Sequence, residues 1–367
     1  MKLAVTEEQE ELRDALRRFF GDKSSGAEVR RLMETAEGYD PAVWEQMAGQ
    51  LGLQSMAIPE EYGGAGFGMR EVSIIMQEMG RAVVCAPYLS GLVAAAALLG
   101  TGNEDAKREL LPGIAEGGTI ATLAWTEGQS WDPESVAMAA RREGDGWVLD
   151  GTKSYVLDGH VANLVLVVAQ GEDGLALFSV DGDAQGLVRT ALPTFDQTRK
   201  LARLDFTAVP ARLIEAQAAP VLAHALDVAA VALAAEQLGG AQRAMEMTVE
   251  YVKVRHQFGR PIGSFQAIKH RCADMFVLVE SARSAVLQAA LVADESPGEL
   301  PAAAALAKAY CSDAFFEVAG ETIQLHGGIG FTWEHDAHLY FKRAKSSQEL
   351  FGPPARHRGR LAELVGI

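Results

Sequence analysis

Arg255 and the pair Gly327-Gly328 are the residues whose chemistry most clearly suits the binding of an anion. An arginine offers a planar, permanently charged guanidinium that can donate two parallel hydrogen bonds to phosphate oxygens. Two consecutive glycines let backbone N–H groups approach the same anion. The same residues also fit a simpler interpretation, in which Arg255 caps the negative end of a helix and the glycines end another helix.

A second polar cluster consists of Glu334, His335, Asp336 and His338. Carboxylates and imidazoles bind zinc, but the cluster lacks a further ligand at fixed spacing and has no cysteine nearby. We therefore expect no metal site and interpret the cluster as a polar surface turn. The basic run from Arg356 to Arg360 is interpreted similarly, as a solvated helix end rather than an anion site.

The composition of the 367 residues excludes several classes of function. The formal net charge is −16, whereas binding to a nucleic-acid backbone requires clustered lysine and arginine. The three cysteines, Cys85, Cys272 and Cys311, lack paired spacing and suggest buried thiols in a reducing cytoplasm. No uninterrupted apolar run reaches the ~20 residues of a membrane span. The N-terminal residues lack the apolar stretch of a signal peptide, so we expect a cytoplasmic protein without a membrane or nucleic-acid partner.

The elements that must position these residues change in type along the chain. Helical periodicity begins at a capping box of Thr6 and Gln9 and holds to about residue 118. Short apolar or alternating runs then predict strands at 120–125, 147–156, 164–168, 175–180 and 201–206. Helical periodicity returns near Pro220 and predicts three long helices at 221–256, 266–293 and 302–325.

We thus predict a mainly α protein with a central β domain. The predicted domains are an N-terminal helical domain (1–118), an antiparallel, barrel-like β domain (119–212) and a C-terminal four-helix bundle (213–367). Helices, then strands, then helices is an unusual order.

Four segments resemble acyl-CoA dehydrogenases, an FAD-dependent family, and together they span nearly the whole chain. They are the glycine-dense loop Pro59-Glu60-Glu61-Tyr62-Gly63-Gly64-Ala65-Gly66; Ala124-Trp125-Thr126-Glu127; Asp150-Gly151-Thr152-Lys153-Ser154-Tyr155-Val156-Leu157; and Arg255-His256-Gln257-Phe258-Gly259-Arg260 followed by Gln324-Leu325-His326-Gly327-Gly328. The last is the most specific. The first fits either a turn beside a binding cleft or an ordinary connection between helices.

The resemblance implies that the β domain contacts the flavin ring. The family's threonine at the position of Thr126 binds this ring, and its aromatic residue at the position of Tyr155 stacks against it. Leu157 stands where the family has a threonine, so only a backbone N–H is left to bond the flavin there. The segment 129–132 departs from the family's Gly-Ser-Asp, which leaves any phosphate or pantetheine contact open.

The resemblance also implies that C-terminal residues reach across a dimer interface to the FAD of the neighbouring subunit. Arg255 and the amides of Gly327 and Gly328 would bind the diphosphate, and Phe258 would pack on the cofactor. Gln266 and Gln324 would hydrogen-bond to its polar groups. A homodimer, a homotetramer or a heterotetramer with a related chain follows from such a shared site.

The family removes a substrate proton with a glutamate, and neither usual position holds one here. Alignment of Lys342-Arg343-Ala344-Lys345 with the family's Arg-Asp-Ala-Lys places Phe351 at the commoner position. The other position, on the long helix before the flavin-binding arginine, falls on Ala229. Glu236 lies on the same helical face but about 10 Å further along, which exceeds its reach. Glu349 stays a candidate base if a loop redirects its side chain.

We therefore expect an acyl-CoA dehydrogenase-like enzyme of fatty acid or steroid catabolism. It would carry out the α,β-dehydrogenation of an acyl-CoA thioester and pass electrons from FAD to an electron-transfer flavoprotein. The chain could act alone with a displaced base, or as the base-lacking subunit of a hetero-oligomer, as in bacterial enzymes for bulky steroid-type thioesters. A third alternative is the same fold with other chemistry, such as a monooxygenase or nitroalkane-oxidase-like reaction, or with no catalysis.

Overall fold

Helices make up most of the first 118 residues, as the periodicity predicts. The structure is a computed structural model that describes residues 6–144 and 146–367, so the predicted N-terminal domain begins with residues 1–5 outside the described range. The helices are α1 (Glu7–Lys23), α2 (Gly26–Met33), α3 (Pro41–Gly49), α4 (Met69–Arg81), α5 (Tyr88–Leu99) and α6 (Glu104–Ala115). Thr6 and Gln9 form the predicted capping box at the start of α1.

A seven-stranded sheet follows the first helices. Its strands are β1 (Ala121–Ala124), β2 (Ala140–Glu143), β3 (Gly146–Leu157), β4 (Leu164–Gly171), β5 (Gly174–Asp181), β6 (Leu187–Ala191) and β7 (Leu201–Glu215). The order is β1-β4-β5-β7-β3-β2, and β6 also pairs with β7. The strands β1 and β4 run parallel, so the expectation of a purely antiparallel domain is wrong at this pair.

The C-terminal region is helical around α9. Its elements are α7 (Ala219–Val254), the short strands β8 (His256–Gln257) and β9 (Arg260–Pro261), α8 (Gln266–Glu295), α9 (Leu300–His326), α10 (Ala337–Glu349) and α11 (Pro354–Leu364). The helix α9 packs against α8, α10 and α11. A side-chain carbon at Gly80 of α4 would collide with the carbonyl of Glu236 in α7, so glycine sets this close approach.

The described chain divides into two compact units that do not follow its order in sequence. One unit combines the described part of Met1–Arg30 with Gly68–Val84 and Ala230–Ile367. In it, α1 and α4 join the C-terminal helices. The other unit combines Arg31–Phe67 with Cys85–Ala229 and therefore holds the sheet together with α3, α5 and α6.

Two helices, α7 and α8, are long and apolar enough to span a membrane by length and composition, although the sequence has no uninterrupted apolar run of that length. Within its most apolar window α7 is 83% buried, which is the burial of a core helix. The corresponding window of α8 is 44% buried, and its exposed positions include Phe276 and Val277.

Candidate functional site

A strained hairpin follows the end of α7 and presents an aromatic side chain at its tip. The strands β8 and β9 pair antiparallel, and the two residues between them, Phe258 and Gly259, have φ of 53° and 77°. Such values are those of a type I′ turn, which a phenylalanine adopts only at a cost in free energy. The Phe258 side chain is 91% exposed, so packing within the described chain does not compensate this cost.

The end of α9 lies beside the start of this hairpin. The amide of Arg255 donates to the carbonyl of Tyr251 at 2.9 Å, and the Tyr251 ring stacks on His326 at a centroid distance of 4.4 Å. Gly327 follows directly, with φ 63° and ψ −143°, a conformation open only to glycine. The end of α7, which precedes Arg255, therefore contacts the end of α9, which precedes Gly327-Gly328.

Several polar groups of this surface are accessible to a ligand. Arg255, Gln266, Gln324 and Gly328 are all exposed. Among the described residues the Arg255 guanidinium makes no hydrogen bond or ion pair, so it does not cap the last carbonyls of α7 as the simpler interpretation required. An unpaired guanidinium beside a glycine turn fits the diphosphate of a dinucleotide cofactor.

In the other unit, Thr126 is almost fully buried next to strand β3. Its hydroxyl donates to the carbonyl of Ser154, while the Ser154 amide donates back to the Thr126 carbonyl at 2.9 Å. The Thr126 side chain can therefore offer a ligand only a hydroxyl oxygen as acceptor, because its proton is already used.

Tyr155 sits in a bulge of β3 that aims its ring out of the regular strand. The pairing of β3 with β7 shifts register between Lys153 and Val156, and Tyr155 has a φ of 53°. Its ring stacks on Trp131 at 6.2 Å with an angle of 30° between the planes. Bulges commonly redirect side chains near functional sites, so the geometry is compatible with the predicted contact to a flavin ring.

Lys153 anchors this part of the sheet from inside. The side chain is fully buried, and its Nζ lies 2.5 Å from Glu127 Oε1. Burial lowers the pKa of Lys153 to about 8, against the opposing effect of Glu127. Burial also opposes ionisation of Glu127, but Lys153 and the amides of Ala137 and Met138 outweigh it and hold the pKa of Glu127 below its ordinary value.

The two positions that the resemblance assigns to the family's glutamate are apolar and buried. Ala229 is fully buried in α7, and Phe351 is 8% exposed with a φ of 60° in the turn after α10. Glu349 ends α10 with its carboxylate 2.6 Å from Lys345 Nζ in a half-exposed pair. Glu236 is buried 2.7 Å from Arg343, so its carboxylate is held by a cation in the interior.

The glycines of the loop at 59–66 serve packing within their own unit. A side-chain carbon at Gly64 would collide with the carbonyl of Ile58, and the Gly66 amide donates to that same carbonyl at 2.9 Å. These contacts account for the glycines without a ligand.

The polar cluster at 334–338 is engaged with neighbouring protein groups. Asp336 pairs with Arg30 at 2.5 Å, and His335 Nδ1 accepts from the Ala337 amide at 3.1 Å. Arg356 and Arg358 of the basic run are exposed, as expected of a solvated helix end, whereas His357 between them is 6% exposed.

Sequence reasoning missed two fully buried lysines, Lys153 and Lys308. A signal existed for each. Lys153 occupies an inward-facing position of a strand, and Lys308 lies in the alanine-rich run Ala302–Ala309 of a predicted core helix. A lysine on an apolar face requires buried acceptors, and those can be found only from the fold.

Three family models match the chain almost from end to end. Residues 6–118 match the model described as "Acyl-CoA dehydrogenase, N-terminal domain", residues 122–209 the middle domain, and residues 219–366 the C-terminal domain.

Individual relatives agree with these matches over their full length. The acyl-CoA dehydrogenase IpdE2 of Mycobacterium tuberculosis is 38% identical over 360 residues, which are 98% of either chain. The solved Tcur3481-Tcur3483 steroid ACAD is 36% identical with a TM-score of 0.90 and 98% of both chains covered. The ChsE4-ChsE5 complex from Mycobacterium tuberculosis is 28% identical with a TM-score of 0.92, covering 100% of this chain and 99% of the other.

Proposed function

The chain belongs to the acyl-CoA dehydrogenase family of flavoprotein oxidoreductases, and from this membership we propose that it binds FAD and takes part in the α,β-dehydrogenation of an acyl-CoA thioester. The observation that carries the proposal is the stacking of Tyr251, one helical turn before Arg255, on His326, the residue before Gly327-Gly328. Arg255 and Gly327-Gly328 lie on an exposed surface, so the cofactor would be shared with a second subunit, as the family resemblance implies.

Different residues of this chain would bind different parts of the cofactor. Arg255 and the amides around Gly328 would bind the diphosphate, because a bidentate cation and backbone donors suit phosphate oxygens. Phe258 would pack against the cofactor, and its exposure at a strained turn supports a contact outside its own subunit. Gln266 and Gln324 would bond to polar groups, while Tyr155, Thr126 and the Leu157 amide would contact the flavin ring.

When bound, FAD supplies the acceptor for the substrate's β-hydride. The α-proton must go to a base, and the resemblance implies that Phe351 stands at the position of the family's glutamate. We propose that the chain is the base-lacking subunit of a hetero-oligomer and that a related chain supplies the carboxylate. The resemblance to the ChsE4-ChsE5 complex and to the Tcur3481-Tcur3483 steroid ACAD supports this arrangement and a bulky, steroid-type thioester as substrate.

A displaced base within this chain is the second arrangement to test. Glu349 is half exposed and pairs only with another surface side chain, so a small rearrangement of the turn after α10 would free its carboxylate. The buried pair of Glu236 with Arg343 argues against a role for Glu236 in proton transfer.

The proposal extends to location and partners. We propose a cytoplasmic protein whose electrons pass to an electron-transfer flavoprotein, with domains at 1–118, 119–212 and 213–367 that act as one catalytic assembly. The three thiols are free and two of them, Cys85 and Cys311, are buried, which agrees with a reducing compartment.

The test is production of the chain alone and together with homologous chains of its own genome. Native mass and flavin content would be measured for each product, followed by flavin bleaching with a panel of acyl-CoAs. Bleaching that requires a second chain supports the base-lacking subunit, and bleaching by the chain alone supports a displaced base. A yellow protein that reacts with oxygen or a nitroalkane but with no acyl-CoA would favour the alternative chemistry.

A further inference from the structure

A buried amine forms hydrogen bonds at the turn that follows α10. Lys308, in the middle of α9, is fully buried, and its Nζ contacts three oxygen acceptors. These are the hydroxyl of Ser312 at 2.9 Å and the carbonyls of Gln348 at 3.1 Å and Gly352 at 3.3 Å. Three acceptors match the three donors of an ammonium group.

Lys308 pairs with no carboxylate among the described residues. Burial lowers its pKa to about 7, against weaker effects of Cys311, Glu349 and Asp313. If a buried amine contributed only to packing, its replacement by an apolar side chain would cost no stability. Here two of the three hydrogen bonds are directed instead at the end of α10 and the turn that follows it.

One acceptor of Lys308, the Gln348 carbonyl, is a group that its own helix cannot satisfy. The last four carbonyls of a helix lack partners within it, and the Gln348 carbonyl belongs to the last turn of α10. The following turn contains two consecutive residues with positive φ, Phe351 at 60° and Gly352 at 102°. Since a non-glycine residue in this region is strained, the turn needs external contacts to persist.

A second contact acts on the same turn from α11. His357 Nε2 lies 3.1 Å from the Phe351 carbonyl, and an Nε2–H would donate to it. Burial, followed by the nearby Lys308, lowers the pKa of His357 to about 4, so the ring is neutral at physiological pH and can act as this donor. Lys308 and His357 therefore bond to consecutive carbonyls, those of Gly352 and Phe351.

We propose that Lys308 is a positioning residue that, with His357, holds the Phe351–Gly352 turn in the conformation from which residue 351 faces the substrate. The inference rests on the proposed function for the identity of the substrate. The hydrogen bonds of Lys308 and His357 to the Phe351–Gly352 turn, which we call the clamp, lie within one compact unit. It implies that the turn is preformed even though its family glutamate is replaced by phenylalanine.

Hydrogen exchange of the full-length chain tests the clamp without any ligand. In Lys308→Met, which keeps the length and apolar stem of the side chain, amides of peptides covering 348–353 should exchange at least tenfold faster than in the parent protein. His357→Phe should accelerate the same peptides by a smaller factor. Lys345→Met is the matched control, because Lys345 bonds only side chains, Gln348 Oε1 and Glu349 Oε1, and should leave the exchange unchanged.

Equal exchange at 348–353 in Lys308→Met and the parent overturns the proposal, and so does acceleration spread evenly over the whole chain. If Lys308→Met does not fold, Ser312→Ala takes its place, since it removes one acceptor of the amine and should accelerate the same peptides at least threefold.

A kinetic experiment distinguishes a positioning role of Lys308 from a general contribution to stability. In the Phe351→Glu background, with octanoyl-CoA as the probe, adding Lys308→Met should lower kcat at least tenfold and change KM less than threefold. An equal change in both constants contradicts a positioning role. If Phe351→Glu alone is inactive although it binds the acyl-CoA, residue 351 does not face the α-carbon and that part of the inference is wrong, while the exchange result still decides whether Lys308 holds the turn.

Discussion

Arg343 donates to Glu236 across 2.7 Å in the interior, with 4% and 5% of the two side chains exposed. The pair joins α10 to α7 and occupies the carboxylate that lies seven residues after the empty base position at Ala229, on the same face of the helix. A carboxylate held in this way interacts with a buried cation rather than with solvent. Glu236 is therefore part of the framework behind the site.

Glu236→Gln should lower the free energy of unfolding by about 3–5 kcal/mol, because removing one partner leaves a buried guanidinium without its counter-charge. Denaturant unfolding followed by circular dichroism measures this loss. The double variant Glu236→Met with Arg343→Met should be more stable than Glu236→Gln. A single variant as stable as the parent would mean that the pair is not maintained in solution.

Phe351→Glu should raise the rate of flavin reduction by an acyl-CoA by roughly 10²- to 10⁴-fold, the usual contribution of a positioned general base. Stopped-flow absorbance of the flavin measures the rate. Phe351→Gln is the control, since it has the same size as the glutamate variant without its basicity. Equal rates for the two variants, with binding confirmed, would show that residue 351 does not face the α-carbon.

Arg255→Ala should raise the Kd for FAD by roughly 10- to 150-fold, since hydrogen bonds to charged groups contribute about 1.5–3 kcal/mol. Flavin occupancy after gel filtration and a flavin titration measure the change. Arg271→Ala removes an equally accessible arginine that pairs with Glu321 at 3.0 Å and should leave occupancy unaltered. Full flavin retention by Arg255→Ala would refute the role of this guanidinium.

His357 should make the protein less stable as the pH falls. Its pKa of about 4 in the folded chain lies below the ordinary value of 6.5, so between these values the unfolded state binds a proton that the folded state does not. Stability is therefore complete above about pH 6.5 and is lost towards pH 4. At ~1.4 kcal/mol per pKa unit, the parent should lose about 2 kcal/mol more than His357→Gln between pH 7 and pH 4.5.

Melting temperatures of both proteins at a fixed scan rate measure this difference. The other histidines are common to both, so their contributions cancel. Parallel pH profiles for the parent and His357→Gln would show that His357 titrates normally and is not held neutral by its surroundings.

The long elements could be predicted from sequence because their signals are local. The second long helix was predicted at 266–293 and runs from Gln266 to Glu295, since its start is marked by the Pro261–Phe265 turn and its length by apolar periodicity. The strands β2 and β6 were missed because both are largely exposed and carry no apolar alternation. The parallel pairing of β1 with β4 depends on contacts distant in sequence, which no local pattern records.

The same distinction between local signals and contacts distant in sequence applies to the candidate site. The exposed residues Arg255 and Phe258 could be identified from residue type and motif, because their chemistry does not depend on a partner within the chain. The buried contacts in the rest of the chain could not be identified in this way. Whether Lys153 and Lys308 are buried, and what they bond to, follows from packing between elements, and so does the stacking of Trp131 on Tyr155.

The visible absorbance spectrum of the purified chain, taken alone and after co-production with a homologous chain of its own genome, tests the binding of FAD most directly. We predict a yellow protein that shows the absorbance bands of bound oxidised flavin and holds about one FAD for each binding site to which an Arg255 contributes. Addition of an acyl-CoA should bleach these bands. A colourless protein that takes up no flavin on reconstitution, in either state of assembly, would contradict the account.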